Sequence, residues 1–245
     1  TFRSPDSIIH VLRRIRTQQY TLAIDAGNPT AASTTQTILV GFSKARHTLG
    51  IRPASRQQIF TQIIQPDNRL EHEIDIRLEL LKAFPEGETI RELNLPSPLP
   101  QHSIAPFIEN LPPKFALLNI GARLPEKQLS PQNYGSIAQT IIKAGYIPVL
   151  SYGPQETKLA HQIATDNNIR LAPPTSLTEL HYLMTKAQAI ITCDTGPMHL
   201  AVASGVPTFG IFVSTSPRRF GYRHLSHDYF DTQTGTEKDC AALIT

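Results

Sequence analysis

The 245-residue chain is 40% hydrophobic and 18% charged, which is typical of a globular protein and leaves room for two domains of modest size. A formal net charge of +3 is too small to indicate nucleic-acid binding, and two cysteines, Cys193 and Cys240, are too few for a disulfide framework or a zinc site. We therefore expect reduced thiols, no metal and no nucleic-acid partner.

The sequence shows neither an export signal nor a membrane span. Its first residues lack the basic start and apolar core of a signal peptide, and no apolar run is long enough to cross a bilayer. We therefore expect a cytoplasmic protein. The chain begins with a predicted amphipathic helix, because Ser4, Pro5 and Asp6 form a helix start and apolar residues follow at helical spacing. Its polar face carries Arg13, Arg14 and Arg16.

Residues 20–25 predict a buried strand that ends at Asp25. At the carboxyl end of a strand this side chain either faces a ligand cleft or caps the turn before a helix around residues 34–40. A short strand is predicted at residues 46–51, residues 57–65 fit either helix or strand, and residues 69–84 predict a helix. The last of these carries His72, which is expected to serve in packing or at the surface.

A proline-rich stretch at residues 94–113 has little periodicity and predicts a linker. We place the domain boundary inside it, giving domains 1–105 and 106–245. Beyond the linker, apolar strands alternate with helical segments, which predicts a parallel sheet covered by helices on both faces. The strands are expected at residues 115–120, 146–150, 169–171, 189–192 and 208–212, with helix starts at Ser130-Pro131 and at the capping box that begins at Ser176.

Residues 189–212, AIITCDTGPMHLAVASGVPTFGIF, predict a strand, a tight turn, a short helix and a second strand. Asp194 is a potential N-cap, Pro197 suits the first turn of the helix, and Gly205 ends it. The amino end of this helix is expected to face the crevice at the carboxyl ends of the strands, where open α/β sheets bind ligands.

This stretch, together with residues 216–222 (SPRRFGY), resembles the signature of the ADP-heptose:lipopolysaccharide heptosyltransferases of glycosyltransferase family nine. The resemblance implies two Rossmann-like domains in a GT-B arrangement, with no metal and no cofactor. It also implies transfer of heptose from an ADP-activated donor to a lipid-linked saccharide acceptor of the lipid A-Kdo type, at the inner face of the inner membrane. The arginines of the first helix are then either a solvated face or a contact for that phosphorylated acceptor.

The resemblance also implies the donor-binding residues. It assigns the donor phosphates to Lys127, on a loop that follows the strand at 115–120, although that residue also fits an exposed loop lysine. It assigns the nucleoside ribose to Glu156 or Gln155, of which Glu156 has the better-suited carboxylate. Asp194 is expected to bind sugar hydroxyls or to cap the helix. The rest of the donor site is expected at Thr195, Gly196, Pro197, Met198 and His199, although Gly196 and Pro197 also fit a purely structural role in packing helix on strand.

The first strand and glycine-rich loop of the family, which carry its catalytic aspartate, have no counterpart in this sequence. The N-terminal domain is therefore expected to be incomplete and the catalytic base is unknown, with Asp25 a weak candidate. Two alternatives follow: a protein that binds a nucleotide sugar without turnover, or a related sugar-nucleotide enzyme such as an epimerase.

Overall fold

The computed structural model describes residues 5–27, 34–51, 57–84, 87, 89–222 and 226–234. The chain forms two compact units, Thr1–Arg91 and Glu92–Thr245, and each contains one parallel β-sheet. This confirms the predicted α/β architecture with parallel sheets. The units divide between Arg91 and Glu92, ahead of the proline-rich stretch, whereas the sequence places the boundary between residues 105 and 106.

The first unit holds a three-stranded sheet in the order β1-β2-β3. Its described helices and strands are α1 (Pro5–Thr17), β1 (Leu22–Asp25), α2 (Thr34–Ser43), β2 (His47–Ile51), β3 (Gln62–Ile64) and α3 (Glu73–Leu78). Leu49, Ile51 and Leu80 are buried together in its core. The unit is therefore organised by apolar side chains of β2 and of the segment that follows α3.

Two stretches of the first unit differ from the sequence-based prediction or were ambiguous in it. The ambiguous residues 57–65 contain a 3-10 turn, Gln57–Ile59, followed by strand β3. The predicted helix at 69–84 is shorter than expected: α3 begins at Glu73 and continues as a 3-10 helix over Glu79–Ala83. It begins late because His72 is its N-cap, with Nδ1 accepting from the Ile74 amide at 3.2 Å.

The second unit holds a six-stranded sheet in the order β6-β5-β4-β7-β8-β9, in which every neighbouring pair is parallel. Its elements are α4 (Ala105–Glu109), β4 (Phe115–Asn119), α5 (Pro131–Lys143), β5 (Ile147–Ser151), α6 (Thr157–Asn167), β6 (Arg170–Leu171), α7 (Leu177–Met184), β7 (Ala189–Cys193), α8 (Gly196–Ala203), β8 (Thr208–Phe212), α9 (Pro217–Phe220) and β9 (His227–Asp231). The chain runs outward from β4 through β5 to β6 and returns to the other side of β4 at β7. Strands β4 and β7 therefore flank a topological switch point.

Helices cover both faces of this sheet because alternate strand residues point to opposite sides. Leu118 of β4 lies in one buried cluster with α5 and α6, while its neighbour Leu117 lies in another with α7 and α8. The predicted helix starts are confirmed: Ser130 caps α5 by accepting from Asn133 N at 3.2 Å, and Ser176 forms a capping box with Glu179 at the start of α7.

The proline-rich stretch and the end of the chain are more ordered than the sequence suggests. Helix α4 lies inside the predicted linker, with Pro106 in its first turn and Ile104 buried in the core of the second unit. Strand β9 lies in the C-terminal stretch, for which the sequence indicated only a possible short helix at its end. The final residues, on which that helix was expected, are outside the described part of the chain.

Candidate functional site

A cavity of about 470 Å³ opens at the carboxyl ends of the central strands of the second unit. This volume is within the range of small-molecule sites, and the position beside the switch point is where open α/β sheets bind ligands. The wall comes from the loops after β4, β5, β6 and β7. It is formed by Asn119, Gly121, Ala122, Arg123, Tyr152, Gly153, Pro154, Gln155, Glu156, Thr175, Ser176, Leu177, Leu180, Thr195, Gly196 and Pro197.

Lys127 and Asp194 form an ion pair between the loop after β4 and the loop after β7. The Lys127 Nζ lies 2.9 Å from Asp194 Oδ2 and also donates to the Asp194 main-chain carbonyl at 2.9 Å. The side chain of Asp194 is 3% exposed and that of Lys127 22%. The alternative of a freely exposed loop lysine is therefore wrong.

The expected capping role of Asp194 is also wrong. The N-cap of α8 is Thr195, which makes no side-chain capping bond, and the helix begins at Gly196. The Asp194 carboxylate turns instead toward Lys127. The Thr195 hydroxyl donates to the Gly121 carbonyl at 3.1 Å and so ties the start of α8 to the loop after β4.

The segment after β8 packs around this ion pair. Thr215 donates its hydroxyl to Asp194 Oδ2, the same oxygen that receives Lys127. The Lys127 Nζ lies 5.9 Å from the centre of the Phe220 ring, within reach of a cation–π contact. His199 Nε2 lies 3.9 Å from Asp194 Oδ1, and its Nδ1 is hydrogen-bonded to the Tyr222 hydroxyl at 2.8 Å. The ion pair is thus flanked by the Thr215 hydroxyl, the Phe220 ring and the His199 imidazole.

Glu156 lies at the wall of the cavity in the turn after β5. It is 6% exposed, and its Oε1 accepts from Gln128 Nε2 at 3.2 Å. The same amide nitrogen donates to the Ala122 carbonyl at 3.3 Å, so Gln128 joins the loop after β4 to Glu156. A Cβ at Gly153 would lie 2.6 Å from Glu156 Oε2, which explains why glycine precedes this turn.

Two buried side chains, Tyr134 and Cys193, anchor the loop that carries Lys127. The Tyr134 hydroxyl of α5 accepts from the Leu129 amide at 3.2 Å and lies 3.6 Å from Cys193 Sγ at the end of β7. Burial raises the pKa of Cys193 to about 11 and raises that of Tyr134 as well. Because both groups stay protonated at neutral pH, we assign them to support of the loop and not to nucleophilic chemistry.

The structure brings most of the predicted donor-binding residues to one place: Lys127, Glu156, Asp194, Thr195, Gly196, Pro197 and His199. Met198 is different, because its side chain is 1% exposed and packs under β8 against Gly210. A contact between the Met198 side chain and the donor therefore has no support in the structure. Asp25 lies in the first unit, where its Oδ1 accepts from the Gly27 amide at 2.9 Å, as expected of a residue that stabilises a turn.

Sequence reasoning missed several members of the site, namely Asn119, Gln128, Ser151 and Thr215. Asn119 and Ser151 carry a usable signal, since each is a polar residue at the end of an otherwise apolar strand. In the structure Asn119 Nδ2 donates to Ser151 Oγ at 2.9 Å and Asn119 Oδ1 accepts from Gly121 N at 3.1 Å. Gln128 and Thr215 are on loops and carry no comparable signal, whereas Tyr222 ends the SPRRFGY segment that carries part of the family resemblance.

Among the described residues no group of three or more His, Cys, Asp or Glu side chains is placed to hold a metal ion. Of the helices in the same part of the chain, none has the length and apolar character needed to cross a membrane.

Comparison with known proteins assigns the family. A model of glycosyltransferase family 9, described as heptosyltransferase, matches residues 8–240. A comparison with curated proteins gave no match.

Solved structures share the fold at low sequence identity. A family 9 glycosyl transferase from Veillonella parvula DSM 2008 aligns with a TM-score of 0.76 and 19% identity over 93% of this chain and 67% of that one. E. coli heptosyltransferase WaaC with ADP aligns with a TM-score of 0.71 and 16% identity over 94% of this chain and 73% of that one. E. coli ADP-heptose lps heptosyltransferase II aligns with a TM-score of 0.67 and 17% identity over 91% of this chain and 72% of that one. Since the family model covers most of the sequence, the chain belongs to glycosyltransferase family 9.

Proposed function

We propose that this chain transfers heptose from an ADP-activated donor to a lipopolysaccharide-core acceptor of the lipid A-Kdo type. Family membership supports the transferase class, and two proteins of the same fold are an E. coli heptosyltransferase with ADP and an ADP-heptose lps heptosyltransferase. The observation that carries the proposal is the Lys127–Asp194 pair beside the cavity at the switch point. It joins a cation suited to phosphate with a buried carboxylate suited to sugar hydroxyls.

In this proposal the nucleoside occupies the cavity and its ribose hydroxyls donate to Glu156. The diphosphate lies against Lys127 and the amino end of α8, where the helix dipole favours negative charge. Asp194 would repel phosphate, so its carboxylate is assigned to hydroxyls of the transferred sugar. His199 is placed close to the diphosphate, held by its hydrogen bond to Tyr222.

The chemistry follows from this arrangement. As the bond between the sugar and the diphosphate breaks, negative charge grows on the leaving group, and a fixed cation and helix amides stabilise that charge. The acceptor hydroxyl must also lose a proton, and Asp25 stays a weak candidate for this base. Its half-buried carboxylate contacts Gly27 and Thr37, which supports a role in the turn, so we assign no base.

The lipid-linked acceptor implies contact with a membrane surface, and α1 is the element proposed for it. Ile8 and Ile9 are 41% and 47% exposed, and Arg13, Arg14 and Arg16 are exposed on the same helix. Exposed apolar residues beside basic ones are typical of helices that lie on anionic membranes. Sedimentation with vesicles of anionic lipid tests this, and equal binding of an Arg13→Gln, Arg14→Gln, Arg16→Gln variant would contradict it.

The donor assignment is tested by thermal scans with ADP, an ADP-sugar and a UDP-sugar. A ligand present at a hundred times its Kd stabilises the folded state by about 2.7 kcal/mol. For a protein of this size that corresponds to roughly 5–10 °C in Tm. We expect ADP and the ADP-sugar to give such a shift and the UDP-sugar to give less. A larger shift with the UDP-sugar would contradict the donor, and failure to transfer labelled heptose to the acceptor would contradict the reaction.

A further inference from the structure

One oxygen of the candidate site receives two donors of different kinds. Asp194 Oδ2 accepts from the Lys127 ammonium, which comes from the loop after β4, and from the Thr215 hydroxyl, which comes from the loop after β8. The two donors reach the carboxylate from opposite sides of β7, since β4 and β8 are its neighbours in the sheet. The Asp194 side chain itself is almost fully buried.

This double contact matters because the proposed donor needs Lys127. A diphosphate at the switch point competes with Asp194 for the ammonium group, and any shift of Lys127 toward phosphate weakens its bond to Oδ2. Leaving an oxygen of a buried carboxylate without a hydrogen-bond donor is costly, so without Thr215 the Asp194 Oδ2 would hold Lys127 back. The Thr215 hydroxyl is neutral, so the phosphate does not draw it away from Asp194 as it draws the Lys127 ammonium.

We propose that Thr215 is a positioning residue that holds Asp194 Oδ2 while Lys127 turns to the donor diphosphate. This inference rests on the proposed function and deepens it. It assigns Thr215 no contact with the donor, so its whole effect on donor binding passes through Lys127. A threonine that merely anchored the loop after β8 would act on donor binding whether or not Lys127 is present.

The test is a double-mutant cycle of Thr215→Val and Lys127→Ala, read by titration with ADP. Thr215→Val removes the hydroxyl and keeps the shape of the side chain, and we expect it to weaken ADP binding about tenfold. Thr215→Ser restores the hydroxyl and should bind ADP like the parent. In the Lys127→Ala background Thr215→Val should cause no further loss. Thr232→Val is the matched control, because its hydroxyl donates to the Phe212 carbonyl at 3.1 Å in the same region without reaching Asp194.

The result that would overturn the inference is an equal loss of ADP affinity from Thr215→Val in both backgrounds, or no loss in the parent. A second measurement needs no nucleotide: urea unfolding of the same four proteins. Removing both donors should destabilise the fold by more than the sum of the two single effects, because only the double variant leaves Oδ2 with neither donor. If the parent fails to bind ADP, the proposed function is contradicted. In that case the urea unfolding data alone test whether Lys127 and Thr215 support the same oxygen, Asp194 Oδ2. Additive effects of the two substitutions on the free energy of unfolding would overturn the inference.

Discussion

Replacing Asp194 with asparagine separates an ion pair from a simple helix cap. Asparagine caps helices about as well as aspartate does, so a residue that only capped α8 would tolerate the change. In the structure Asp194 Oδ2 instead receives the Lys127 ammonium and the Thr215 hydroxyl. An amide oxygen keeps both contacts but makes them bonds to a neutral acceptor.

The magnitude follows from these two bonds. A hydrogen bond to a charged group contributes about 1.5–3 kcal/mol and a neutral one about 0.5–1.5, so each converted bond loses roughly 1 kcal/mol. Removing a buried charge also removes part of its desolvation cost, which offsets some of this loss. We therefore expect Asp194→Asn to lower the free energy of unfolding by about 1–2 kcal/mol, or roughly 2–8 °C in Tm.

The assay is urea and thermal unfolding followed by circular dichroism, with Asp166→Asn as the control for loss of an exposed carboxylate on α6. Titrations with ADP and an ADP-sugar complete it. ADP should bind the Asp194→Asn variant as well as the parent or more tightly, because a negative charge near the phosphates has gone. The ADP-sugar should lose about fivefold relative to ADP. Unchanged stability together with an unchanged ratio of the two affinities would refute the assigned role.

Gly153→Ala should weaken ADP binding several-fold, because its Cβ would lie 2.6 Å from Glu156 Oε2 and displace that carboxylate; calorimetric titration measures the loss. Gln128→Met should weaken ADP binding in the same assay, since it removes the amide that joins Glu156 to the Ala122 carbonyl. Cys193 should resist alkylation in the native protein at pH 8, because burial raises its pKa to about 11. Its contribution to stability should be complete below about pH 9 and be lost as the pH approaches 11, since only the unfolded thiol ionises in that interval.

The two substitutions each have a matched control variant. Gly41→Ala adds a methyl group on α2 of the first unit, where the nearest atom would lie at an ordinary contact distance of 3.4 Å, and it should leave ADP binding unchanged. Gln155→Met alters a neighbouring glutamine of the cavity wall and should have less effect than Gln128→Met. Alkylation is measured in a Cys240→Ser background so that one thiol is counted. Equal effects of test and control variants, or rapid alkylation of Cys193, would contradict the assigned contacts.

Much of the second unit could be predicted from local sequence. The turn and helix of residues 189–212 were predictable because each step has its own signal: an apolar strand, a proline in the first helical turn and Gly205, whose φ of +71° ends the helix. Lys127 was predictable as a cation on a loop at the carboxyl edge of the sheet. Its partner was not, because Lys127 and Asp194 are 67 residues apart and meet only when the strand order places β4 beside β7.

Other contacts could not be predicted for the same reason. Thr215 follows Asp194 by 21 residues on a loop without helical or strand periodicity, so nothing local indicates that its hydroxyl reaches a buried carboxylate. Met198 belongs to the same short helix as His199, and only the packing of α8 on β8 shows that its side chain turns into the core. Strand β9, HDYFD, lacks the apolar run of its neighbours and is a strand because it pairs with β8.

The two outermost strands of the six-stranded sheet differ from those inside it. Strand β6 is only two residues long and begins at Arg170, whereas β9 carries Asp228 and Asp231. The outer side of a sheet is a template for strands of other molecules, and brevity and charge are the two features that discourage such pairing. The residues that make β9 hard to recognise as a strand are thus those expected to keep copies of the protein from aggregating through this sheet.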